Sequence, residues 1–90
     1  MKDTSEEERI SVSINAEERV YLNEKPIALP LLVDQLHGMM EGRQNKVVYL
    51  RADERLRYGK VIEVVDTIKQ AGVEQIGFVY QLPSEKAAHR

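Results

Sequence analysis

Ninety residues, 42% of them hydrophobic and 31% charged, suffice for one compact domain with a modest core. A formal charge of −2 lacks the basic excess of a nucleic-acid footprint, and the absence of cysteine removes a disulfide framework, a thiolate metal site and a Cys nucleophile. No stretch approaches the ~18 consecutive apolar residues of a bilayer span. Met1 leads at once into Lys2, Asp3 and Glu6 to Glu8, the opposite of a basic start running into an apolar leader.

Residues 1–9 are polar, charged and without periodicity, and read as a flexible linker or tail. Order begins at Ile10, where Ile10, Val12 and Ile14 alternate with Ser11 and Ser13, the pattern of a half-buried strand. Asn15 to Arg19 supply turn chemistry, and Val20, Tyr21 and Leu22 complete a hairpin that Asn23 to Pro26 close with another turn. Pro30 suits the first turn of a helix, and Leu29, Leu32, Val33, Leu36, Met39 and Met40 then recur on one helical face up to Gly42.

Lys46 to Arg51 form a short run, apolar on both alternating positions, that predicts a central strand covered on two sides or a well-buried one. After a charged connection, Tyr58, Val61, Ile62, Val64, Val65 and Ile68 define a second amphipathic helix, with Glu63, Thr67 and Gln70 opposite and Gly72 at its end. Val73 to Leu82 predict the last strand, stopped by Pro83, and residues 83–90 read as a flexible C-terminal tail. The order is β-β-α-β-α-β. It predicts an α+β fold, a two-layer α/β sandwich with a mixed sheet, two helices on one face, and the last two strands parallel if they are neighbours.

The run Val48-Tyr49-Leu50-Arg51-Ala52-Asp53, then Tyr58, Val61, Val64, Val65, Asp66 and Ile68, then Ala71-Gly72-Val73 and Ile76-Gly77-Phe78-Val79, resembles the ExbD/TolR family of biopolymer transport proteins over residues 10–82. The upstream strands, Pro26-Ile27 and the Leu32 to Met40 helix stand in the matching order. The resemblance implies a periplasmic domain of a single-pass inner-membrane protein that dimerises and pairs with an ExbB- or TolQ-like channel subunit. It further implies that the domain engages a TonB- or TolA-like transducer, or peptidoglycan, in work driven by the proton motive force. The family's proton-carrying Asp lies in a membrane helix that these residues do not contain. The resemblance therefore places that helix upstream of residue 1, and no acid here inherits the role. The Arg-Ala-Asp triplet leans toward ExbD over TolR.

Candidate sites follow from this reading. Ile76, Phe78, Val79 and Tyr80 become partner or dimer contacts if the last strand is a sheet edge, because an edge presents unpaired N–H and C=O groups. Arg51, Arg55 and Arg57 could meet an anionic polymer or an acidic partner, against the plainer reading of a solvated rim. Asp53, after a strand and ahead of a helix, reads as a capping or turn residue. Tyr58, Met39, Met40 and Phe78 are expected in the core, and His37 and His89 on the surface. No Gly-x-Ser-x-Gly turn or phosphate-cradling loop occurs, so no enzyme activity, cofactor or metal is expected. The alternative is a small-molecule-binding regulatory α/β domain that dimerises through edge strands.

Overall fold

The computed structural model describes residues 9–79. Their elements are β1 (Ser11–Ile14), β2 (Val20–Leu22), β3 (Lys25–Pro26), α1 (Leu29–Met40), β4 (Val47–Ala52), α2 (Tyr58–Gln70) and β5 (Gln75–Val79). The five strands form one open mixed sheet in the order β3-β2-β1-β4-β5. β1 is antiparallel to β2 and parallel to β4, and β4 is parallel to β5. The fold class is the one expected from the element order, including the parallel pairing of the last two strands.

Alternation decides the two faces of the sheet. Val12, Ile14, Val20, Leu22, Val48 and Leu50 are buried on one face. Leu32, Leu36 and Met40 of α1 and Val64 and Ile68 of α2 close over them in a single apolar cluster, and the helices also pack on each other. The opposite face, with Ser11, Ser13, Tyr21, Tyr49 and Arg51, has no helical cover among the described residues.

Local chemistry fixes the connections. Asn15 Oδ1 accepts the N–H groups of Glu17 and Arg19, which shapes the β1–β2 loop and holds Glu18 at φ 71°. Asn23 and Glu24 both have positive φ, as a two-residue hairpin turn requires. This revises the reading of residues 23–26 as a plain turn. Only Asn23-Glu24 turn, and Lys25 and Pro26 pair back onto β2 as a fifth strand, where proline is tolerated because the edge needs no second hydrogen bond. Gly72 follows α2 at φ 95°, the left-handed position that closes the helix.

Four further expectations are corrected. Thr67, assigned to the polar side of α2, is buried, and its hydroxyl satisfies itself on the Glu63 carbonyl at 2.9 Å. Tyr58, the first residue of α2, is 76% exposed. Ile62, counted on the apolar face of α2, is 39% exposed. Phe78 is 52% exposed; it stands on the helix-covered face beside Leu50, but in the outermost of the described strands. The last strand ends at Val79 among the described residues; Tyr80, Leu82 and the tail lie outside them.

Candidate functional site

β5 is one edge of the sheet, bonded only to β4. Gln75 pairs with Val47, and its N–H donates to the Lys46 carbonyl at 3.1 Å. In a parallel ladder, alternate residues direct both backbone polar groups to the same side. Gln75, Gly77 and Val79 therefore bond inward to β4, and the N–H and C=O groups of Ile76 and Phe78 point outward, where no strand among the described residues receives them. Three of the four residues proposed as edge contacts, Ile76, Phe78 and Val79, thus lie on the free strand. Only Ile76 and Phe78 present backbone groups to it, and Tyr80 lies outside the described residues.

Exposed apolar side chains occur on α2 as well as on β5. α2 carries the chain from β4 across to β5. At 3.6 residues per turn, Tyr58, Ile62 and Val65 share the flank of α2 opposite the buried Thr67. Among the described residues, Tyr58, Ile62 and Phe78 are three of the four large apolar side chains left exposed, the fourth being Leu31 on α1. The sequence reading missed the α2 flank because apolar spacing alone does not tell a covered flank from an open one. A helical-wheel count separating Tyr58 and Ile62 from Val64 and Ile68 could have found it.

The charged residues ahead of α2 are arranged differently. Asp53 Oδ1 accepts the Arg55 backbone N–H at 2.9 Å, and the two carboxylate oxygens take Arg55 Nε and Nη2, each at 2.9 Å. These bonds, the side-chain pair first and the backbone N–H next, lower the Asp53 carboxyl to about 2. Asp53 therefore holds the turn before α2. It does not cap the helix, whose N-cap residue is Arg57, with no side-chain capping bond. Arg57 reaches across to Glu18 with Nε and Nη2 at 2.8 and 3.1 Å, tying the β1–β2 loop to the start of α2 and holding the Glu18 carboxyl below the usual carboxylate range. Both arginines are thus occupied by acids of this chain, whereas Arg51, exposed on the helix-free face, joins no ion pair among the described residues.

His37 is exposed in the last turn of α1, and His89 lies outside the described residues. Among the described residues, no three His, Cys, Asp or Glu side chains are grouped to hold a metal ion, and no helix is long and apolar enough to cross a membrane.

The described residues form a small α+β domain with an open mixed sheet. The family model "Biopolymer transport protein ExbD/TolR" matches residues 2–82, and the chain belongs to the ExbD/TolR family. It is 27% identical over 73 residues, 81% of this chain and 52% of the relative, to the biopolymer transport protein ExbD of Escherichia coli K12. It is 26% identical over 74 residues to the ExbD of Pseudomonas putida, with 81% of this chain and 52% of that protein covered. The Tol-Pal system protein TolR of Pseudomonas aeruginosa is 28% identical over 57 residues, covering 63% of this chain and 39% of that protein. The chain spans about half the length of the ExbD relatives it matches.

Proposed function

We propose that these residues form the periplasmic, partner-binding domain of an inner-membrane complex of the ExbB-ExbD or TolQ-TolR type, coupled to the proton motive force, and that the domain acts by contact without catalysing a reaction. In this reading the membrane helix and its proton-carrying acid lie outside the chain and mediate pairing with an ExbB- or TolQ-like channel subunit. The domain dimerises through β5 and engages a TonB- or TolA-like transducer, or peptidoglycan, so that proton flow is converted into a change of grip beneath the outer membrane. Family membership and the biopolymer transport names of the relatives support the transport role.

The observation that carries the binding mode is the free edge. Ile76 and Phe78 direct unpaired backbone groups outward, and the exposed Phe78 ring stands beside them. A strand from a second copy or from a transducer segment would satisfy those groups and cover the ring together. Amide exchange at Ile76 and Phe78, followed as the protein is concentrated or as a transducer peptide is added, tests this. The expected result is protection at those two amides. Exchange that stays as fast in the associated state as in the monomer would exclude the edge as the contact.

A further inference from the structure

On the helix-free face, Ser11, Tyr49 and Gly77 stand in one row across β1, β4 and β5. A Cβ at Gly77 would lie 2.9 Å from Tyr49 Cδ1 and 3.0 Å from Cε1, so the tyrosine ring occupies the space that a side chain on β5 would fill. Arg9 falls two residues before Ser11 and therefore on the same face. Its guanidinium carbon lies over the Tyr49 ring, 4.5 Å from the centroid. The next residue, Ile10, is buried, and its carbonyl accepts the Tyr49 N–H at 2.9 Å. The chain entering the fold is thus fastened to β4 at consecutive residues, once through the backbone of Ile10 and once through the side chain of Arg9.

We infer that the Arg9–Tyr49–Gly77 stack is a latch through which the chain entering at Arg9 sets the order of the edge strand β5. With Arg9 in place, the ring is held down against the backbone of β5 and covers the β4–β5 hydrogen bonds on a face that no helix protects. Tension on the chain ahead of Arg9 lifts the guanidinium away, the ring swings free, and water reaches those bonds. β5 is open to such control because β4 is its only strand neighbour among the described residues. The latch acts within one copy, so it holds or fails independently of whether β5 takes up a partner.

Amide exchange in the full chain at low concentration tests it, read at Gly77 and Val79, which bond inward to β4, with Val64 and Ile68 of α2 as references. Arg9→Ala should speed exchange at Gly77 and Val79 by about two- to fivefold, the scale of an exposed cation–ring contact, and leave the α2 amides unchanged. Arg9→Lys and Tyr49→Phe retain a cation over a ring and should stay near the parent rates. Unchanged rates at Gly77 and Val79 in Arg9→Ala would overturn the latch. So would equal acceleration at all four amides, which is the mark of a general loss of stability.

Discussion

Gly77→Ala puts the sheet's helix-free face under a direct test. Gly77 does not lie in the left-handed region, so its backbone accepts alanine, and any penalty is steric. The new methyl would stand 2.9 and 3.0 Å from two Tyr49 ring carbons, where favourable carbon contacts begin at ~3.5 Å. Overfilling a packed site costs about 1–3 kcal/mol, and Tyr49 is only half-buried and can swing outward, which places this case at about 1–2 kcal/mol including the lost contact with Arg9. Replacing glycine also removes freedom from the unfolded chain, a gain of about 0.4–1 kcal/mol. The net expectation is a loss of about 0–1.6 kcal/mol, or up to roughly 13 °C in Tm for a domain of this size. The assay is thermal and urea denaturation of four proteins: parent, Gly77→Ala, Tyr49→Ala and the double variant. With the ring gone, Gly77→Ala should become stabilising, so the two changes couple by about 1–2 kcal/mol. A Gly77→Ala protein more stable than the parent, or one equally destabilised with and without the ring, would refute the steric account.

Other outcomes follow from the core and the charged loops. Leu36 is fully buried in α1, and Leu36→Ala should cost about 2–5 kcal/mol, a large share of the ~5–15 kcal/mol expected of a small domain, read from the urea midpoint. The folded Asp53 carboxyl sits at about 2, below its unfolded value near 4. Its stabilisation is therefore complete above pH ~4 and disappears as pH falls toward ~2. Asp53→Asn should remove that part of the acid dependence, and an unchanged acid limb in denaturation scans would argue against the turn role. Arg51→Glu should weaken co-sedimentation with peptidoglycan more than Arg55→Glu does, because Arg55 is already paired with Asp53 while Arg51 is not; equal losses would point to general charge attraction.

Much of the fold was legible because burial follows periodicity. Val12 and Ile14, Val48 and Leu50, and Leu32, Leu36 and Met40 all lie inside, as period-two and helical spacing place them. The resemblance carried by Arg51-Ala52-Asp53 and Ala71-Gly72-Val73 was legible for the same reason: these residues mark the ends of elements, where local chemistry is strict. The short strand β3 was not legible. Two residues have no period, and Lys25-Pro26 becomes a strand only because Asn23 and Glu24 turn the chain tightly enough to return it to β2. The proposed contact strand β5 was legible as a strand but not as an edge.

The amino-acid sequence by itself determined the element order, the core stripes of α1 and β4, the lack of cysteine chemistry and the family, because each depends on residue type and on spacing along the chain. The tertiary structure alone decided that β5 is outermost among the described strands, that Phe78, Tyr58 and Ile62 are exposed, that Thr67 is buried, and that Arg55 and Arg57 are already matched by Asp53 and Glu18. The physical reason is that exposure and charge pairing depend on which segments become neighbours: the same apolar side chain is core under a helix and contact surface at a free edge.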